Sequence, residues 1–291
     1  MSVIEVGPDL LRKHPLPSHD EGGDKQLRGR VLMVGGSVEV PGAVLLSGHG
    51  ALRAGAGVLR IATCRSSAAH LAVAMPESRV TGFDETAAGG IDAGAAEPLA
   101  DEACECEAVL IGPGMMDRDA TAALTARMLQ APGDAAYVLD AAAFTTLNPA
   151  GPYPSKLVVT PHAGEMAHFL DVEREQIEAD PVKAGREVAR RLGAVVAVKG
   201  AETHIVEPGG RIWCSRNGSI GLGTSGSGDV LAGIITGLLA RGTSAALAAV
   251  WGVYLHAEAG RRLEQRHGRL GLLARELPAE IPAIMRDLSQ G

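Results

Sequence analysis

One carboxylate stands alone in a long acid-free stretch. Asp229 is the sole acidic residue between Glu207 and Glu258, and it directly follows a glycine-rich run, Asn217-Gly-Ser-Ile-Gly-Leu-Gly-Thr-Ser-Gly-Ser-Gly228. Beyond it Val230, Leu231, Ile234, Ile235, Leu238 and Leu239 recur at helical spacing, so a helix with one apolar stripe is expected to begin at or near Asp229. Gly226, Ser227 and Gly228 then sit just before that helix, where unpaired N–H groups and the helix dipole attract an anion. Glycines there let the backbone approach a phosphate closely. A carboxylate in such a loop repels phosphate unless it has a task. It either accepts a proton from a hydroxyl attacking phosphorus or helps to hold Mg²⁺. The plainer alternative is an ordinary helix-start aspartate. Gly221-Leu-Gly223-Thr-Ser-Gly226 also matches the dinucleotide pattern G-x-G-x-x-G, but no acid follows at the expected distance and no βαβ unit surrounds it. A P-loop is excluded, because no G-x-x-x-x-G-K-[ST] occurs.

Other chemistry-bearing residues fall at apparent strand ends. Thr160-Pro-His-Ala-Gly-Glu165 follows an apolar run and opens a helical pattern. His162 would project from the carboxyl edge of a sheet, where ligands bind in open α/β folds, and Glu165 would fall in the first helical turn. Lys199-Gly-Ala-Glu-Thr203 ends another run. Its lysine either meets a phosphate as a point charge or caps the sheet edge in solvent. Gly35-Gly36-Ser37, followed by Pro41-Gly42-Ala43, and Gly112-Pro-Gly114 mark two further bends. Turn chemistry explains each alone, but less well their recurrence at one edge.

The elements that must position these residues are legible as an alternation. Val31–Gly35, Val58–Thr63, Ala108–Gly112, Ala136–Asp140, Leu157–Thr160 and Val195–Lys199 are short, β-branched and apolar on both faces, as buried parallel strands are. Helical patterns lie between them at 41–54, 66–75, 119–130, 163–170 and 180–192. Such alternation implies right-handed crossovers and a doubly wound, mainly parallel α/β sheet with helices on both faces. Thr203–Glu207 and Arg211–Ser215 flank Pro208-Gly209-Gly210 and read as a hairpin. No repeat or long linker divides the 291 residues. A single domain over 30–291 is expected, with residues 1–29 a polar leader wrapped on its surface.

Composition narrows the function classes. A net charge of −7 argues against a protein that holds nucleic acid. Charges or glycines interrupt every apolar run, so no membrane span is expected. The first residues carry Glu5 and Asp9 and lack a signal core, which makes cytoplasm the expected compartment. The four cysteines, Cys64, Cys104, Cys106 and Cys214, form neither C-x-x-C nor a zinc pattern with paired histidines. They are read as small, partly buried side chains; in a strand, Cys104 and Cys106 would point to the same face.

Taken together and in this order, GGS-x₄-GA, GPG, TPHAGE, KGAET and GSGDVLAG resemble the nucleotide-dependent NAD(P)H-hydrate dehydratases of the ribokinase-like superfamily. The resemblance covers roughly residues 27–285. It implies an enzyme that uses ADP, or else ATP, with Mg²⁺, to phosphorylate the ring hydroxyl of hydrated NADH or NADPH. Phosphate then leaves and the double bond returns. It further implies that Ala43, Gly114, His162 and Asp229 meet the hydrated dinucleotide, and that Asp229 is catalytic. Lys199, Gly200, Ala201, Glu202 and Thr203 with Gly226, Ser227 and Gly228 would line the nucleotide site, and Glu165 would act indirectly on the metal. A homo-oligomer, possibly a tetramer, is part of the same expectation, as is the absence of the epimerase domain sometimes fused ahead. The sequence departs from the family pattern at Ala142, at Met115-Met116 and across Ser219–Gly226. Two rival readings are a vitamin-precursor or sugar kinase of the same fold, and a non-catalytic adenine-nucleotide sensor.

Overall fold

The computed structural model describes residues 3–18, 28–148, 151 and 153–289. Its first elements are β1 (Ile4–Glu5), α1 (Pro8–Lys13), β2 (Arg30–Val34), α2 (Gly42–Arg53), β3 (Val58–Cys64), α3 (Arg65–Ala74), β4 (Ser78–Phe83) and α4 (Ala96–Cys104). Then come β5 (Ala108–Ile111), α5 (Arg118–Met128), β6 (Ala136–Leu139), α6 (Ala141–Thr145), β7 (Leu157–Val159), α7 (Ala163–Leu170), α8 (Arg174–Ala179) and α9 (Pro181–Leu192). The chain ends with β8 (Val195–Val198), β9 (Thr203–Val206), β10 (Ile212–Ser215), α10 (Ser227–Ala240), α11 (Ala245–His267) and α12 (Leu277–Ser289).

All ten strands join one sheet in the order β1-β10-β9-β8-β7-β6-β5-β2-β3-β4. Among the described strands, only the pairings of β9 with β8 and β10 are antiparallel. The six expected central strands and the hairpin are present, and the expected helices match within a few residues. Alternate residues of each strand feed two cores. Val31, Met33, Leu110 and Val138 face α2, α10 and α11, while Leu32, Val34, Val109 and Leu139 face α5, α7 and α9. Residues buried on both faces explain why these strands read as continuous apolar runs.

The chain runs outward from β2 through β3 to β4, then returns to place β5 on the other flank of β2. This reversal opens a crevice at the carboxyl ends of β2 and β5, the usual ligand position in open α/β sheets. Gly35-Gly36-Ser37 and Gly112-Pro113-Gly114 lie there, joined by a Gly36 N–H bond to the Pro113 carbonyl at 2.7 Å.

Several local expectations are corrected. The Gly-rich helix starts at Ser227, with Gly226 as its N-cap, so Ser227 and Gly228 belong to the first turn and Asp229 is the third helical residue. Cys104 closes α4 and is exposed, and Cys106 follows in the loop, so the two share no strand. Strand β4 is an edge strand with half-exposed residues, which is why it lacks an apolar run. In the leader, β1 pairs with β10 and Leu11 of α1 is buried, while residues 19–27 lie outside the described residues. Among the described residues, no helix is long and apolar enough to cross a membrane.

Candidate active site

The carboxyl ends of β6, β7 and β8 carry Asp140, Thr160 and Lys199 to adjacent positions. A short bridge extends the pairing beyond β7 and β8, with the Lys199 N–H donating to the Pro161 carbonyl at 2.8 Å. It brings the TPHAGE and KGAET segments side by side, though they are remote in sequence. Lys199 Nζ donates to Asp140 Oδ1 at 2.9 Å and lies 3.8 Å from Glu165 Oε2. Thr160 Oγ1 donates to the same Asp140 oxygen at 2.8 Å. Asp140 is almost wholly buried, and the chain around it is tightly constrained. Gly112 has φ +128° and its absent Cβ would lie 2.0 Å from the Asp140 carbonyl, a place only glycine fills.

Asp229 enters this cluster from α10. Burial and the charge of Asp140 push its carboxyl up to about 7; Lys199 opposes this and Glu165 adds to it. Burial acts against the Lys199 ammonium too, but Asp140, Glu165 and Asp229 raise its pKa above the ordinary lysine value. Three carboxylates thus surround one cation, and the proton on Asp229 titrates near neutrality. A base poised near the working pH suits proton transfer.

His162 caps α7. Its Nδ1 accepts from the N–H groups of Gly164 and Glu165 at 3.0 and 3.2 Å, while Glu165 Oε2 accepts from His162 N–H at 2.8 Å. This reciprocal box fixes Glu165 beside Lys199. The same His162 lines a cavity of about 680 Å³ with Lys199, Gly200, Ala201, Thr203, Ser227 and Gly228. The cavity continues along Gly218–Ile220 and Leu222–Thr224 to Leu231, Val253 and His256. Its floor is the first turn of α10, so free N–H groups and the positive helix end face the space. Gly226 has φ +87°, which allows the loop to turn into that helix. Gly228 needs no such angle; its absent Cβ would lie 3.2 Å from Lys199 Nζ.

Six of the eight expected nucleotide residues line this cavity. Glu202 and Gly226 do not: the Glu202 carboxylate turns outward to Arg216 Nε at 3.0 Å, and Gly226 faces Leu46 and Ala274. Ala43 and Gly114 lie together outside it, at the crevice between β2 and β5, with the absent Gly114 Cβ 2.9 Å from the Ala43 Cβ. Helix α2, which carries Ala43, packs against α10, which carries Asp229.

Two residues escaped the sequence reading. Asp140 stands there only as the last residue of an expected strand, and His256 does not appear. His256 Nε2 meets Ser227 Oγ at 2.9 Å and the Ser227 carbonyl at 3.0 Å. Burial holds its pKa down at about 4, so a neutral imidazole braces the floor of the cavity. Nothing in the local sequence of α11 distinguishes it from a core position.

Two oxygens of the carboxylate cluster already have partners. Asp140 Oδ1 is taken by Lys199 and Thr160, and Glu165 Oε2 by His162. Among the described residues, the one group of metal-ligating side chains close enough to share an ion is elsewhere, at Glu202, His204 and Cys214.

Residues 31–283 match a family model described as NAD(P)H-hydrate dehydratase. The chain is 47% identical over 289 residues to the ADP-dependent (S)-NAD(P)H-hydrate dehydratase of Xanthomonas campestris pv. campestris, covering 99% of this chain and 98% of that one. Its structure is similar to the ADP/ATP-dependent NAD(P)H-hydrate dehydratase from Bacillus subtilis co-crystallized with ATP/Mg²⁺ (TM-score 0.86, 28% identity, 99% of each chain). It is also similar to a ribokinase-like superfamily protein from Enterococcus faecalis V583 (TM-score 0.84, 25% identity, 99% and 97% of the chains). With the doubly wound sheet and the glycine-rich start of α10, these likenesses show that the chain belongs to the NAD(P)H-hydrate dehydratase family.

Proposed function

We propose that this enzyme restores hydrated NADH or NADPH by phosphorylating the ring hydroxyl and eliminating phosphate, with ADP preferred over ATP. The observation that carries the mechanism is the Asp229 carboxyl, held near neutrality among Asp140, Lys199 and Glu165 in the first turn of α10, directly after Ser227 and Gly228 of the cavity lining. The nucleotide occupies the cavity between Lys199–Thr203 and Ser227–Gly228, its terminal phosphate against the first turn of α10. The hydrated nicotinamide ring approaches Asp229 from the crevice at Ala43 and Gly114, with His162 meeting it from the cavity side.

The ring hydroxyl oxygen bonds to the terminal phosphorus, the phosphoanhydride breaks, and AMP leaves when ADP is the donor. Asp229 accepts the hydroxyl proton as the bond forms, a contribution of about 10²–10⁴ in rate. The ring carbon–oxygen bond then breaks, pushed by the nitrogen lone pair, and the neighbouring carbon loses a proton as the double bond returns. Phosphate departs readily where hydroxide would not. Lys199 is a positioning residue in this scheme: Asp140 and Glu165 fix it, and it tempers the Asp229 charge. Mg²⁺ would arrive on the nucleotide phosphates and neutralise their charge, with Glu165 acting on it indirectly.

Hydrated NADH incubated with the enzyme, Mg²⁺ and either nucleotide should regain dihydronicotinamide absorbance with release of free phosphate. A kinase of the same fold would instead accumulate a stable phosphoester and no NADH. Cytoplasmic location, expected from the sequence, and a homo-oligomer, implied by the resemblance, belong to the same proposal; light scattering tests whether the oligomer is a tetramer.

A further inference from the structure

The hairpin beyond the Lys199–Thr203 turn carries a second cluster of reactive side chains. His204 of β9 and Cys214 of β10 are cross-strand partners, so their side chains share one face. Glu202 precedes His204 by two residues and reaches that face as well. The potential ligand atoms of Glu202, His204 and Cys214 all lie within 4.8 Å of one another. The Nδ1 atom of His204 is buried with no hydrogen-bond partner, an unusual vacancy for a buried polar group. Glu202 divides its oxygens: Oε1 accepts from Arg216, while Oε2 accepts the Cys214 thiol at 3.4 Å. Glu202 and His204 also line a cavity of about 770 Å³ beneath α8 and α9, which gives an ion a path inward.

We propose that Glu202, His204 and Cys214 form a binding site for a divalent cation of the zinc class. One thiolate, one imidazole and one carboxylate are a borderline-soft donor set that suits Zn²⁺ and not Mg²⁺ or Ca²⁺. Three protein ligands leave the fourth tetrahedral position to water. The charges match a dication. Glu202, a Cys214 thiolate and neighbouring Glu5 bring negative charge, and Arg216 brings one positive charge. Asp180 of the element packed on this face adds a further negative field at His204. Binding must expel the Cys214 thiol proton to solvent, so affinity falls as pH falls. The site stands on β9 and β10 and is independent of the dehydratase reading.

The test is a titration of chelator-stripped protein with Co²⁺, in a Cys104→Ser background that removes the exposed thiol. One equivalent should bind with a thiolate-to-cobalt charge-transfer band, Zn²⁺ should displace it, and about one proton should be released. The band should vanish in Cys214→Ser. In His204→Gln, zinc affinity measured by chelator competition should fall by more than the ~10–100-fold that outer-shell changes cost. Unsaturable binding, a missing band, or binding unchanged in both variants overturns the site. Should either variant fail to fold, alkylation of the native protein decides. Zn²⁺ should slow modification of Cys214, and an equal rate with and without zinc overturns the proposal.

Discussion

The two edges of the sheet use the same residue types to opposite ends. At the amino edge Arg30 pairs with Glu107 at 2.9 Å, Arg60 with Glu105 at 2.8 Å and Glu102 at 3.4 Å, and Arg79 also meets Glu102. Each of these charges has an opposite partner, and Arg79, Glu105 and Glu107 are exposed. At the carboxyl edge Asp140, Glu165 and Asp229 share the single ammonium of Lys199, and Asp140 is buried. Balanced pairs hold their carboxylates ionised, as with Glu107, kept below the usual range by Arg30 despite its burial. An unbalanced buried group must keep a proton instead, and that burden falls on Asp229. The contrast separates charge that solvates a sheet edge from charge that does chemistry.

The largest expected break in this contrast is Asp229→Asn. Turnover should fall by about 10²–10⁴ or more while nucleotide affinity is nearly kept. The same variant should gain stability with a definite pH dependence. The folded pKa of Asp229 is raised, so the native state holds a proton that the unfolded chain releases between about pH 4 and about pH 7. Wild-type stability therefore drops across that window, and the Asn variant should show its Tm advantage near pH 8 and lose it towards pH 4. An ordinary helix-start acid would give the reverse, a small stability loss with normal turnover.

Gly228→Val should come next. Its side chain would enter the space between Lys199 and the first turn of α10, 3.2 Å from Lys199 Nζ at the Cβ alone. ADP affinity measured by calorimetry should drop about tenfold or more, and an unchanged affinity would move the phosphate elsewhere.

Asp140→Asn sharpens the comparison. It removes one of the two negative neighbours, the buried one, and frees Lys199 to serve Asp229. The rising limb of kcat/KM against pH should then shift to lower pH by about one unit. At the amino edge, Glu107→Gln should cost under about 1 kcal/mol in denaturant melts and leave that limb in place. A shift of the limb by Glu107→Gln would dissolve the distinction between the edges.

Much of this arrangement was legible in the sequence because buried parallel strands announce themselves as apolar runs. Val31–Gly35, Ala108–Gly112 and Val195–Lys199 ended where the site begins, and the Gly-rich stretch marked the start of α10 to within two residues. What stayed hidden depended on partners distant along the chain. Lys199 was read as a phosphate contact or a solvent-facing cap, yet its nearest partner is Asp140, 59 residues away. His256 meets Ser227 across 29 residues, and on α11 it looked like one more inward position. Local pattern reports periodicity, not which strand ends become neighbours, so the sharing of one cation by three carboxylates required the sheet order.

The direct test is the titration of Asp229 itself. With ¹³C-labelled aspartate carboxyls, the Asp229 resonance, assigned by its loss in Asp229→Asn, should titrate in the nucleotide-free protein with a midpoint of about 7. A midpoint in the ordinary aspartate range near 4 would show that the carboxyl edge is as well balanced as the amino edge, and would contradict the account.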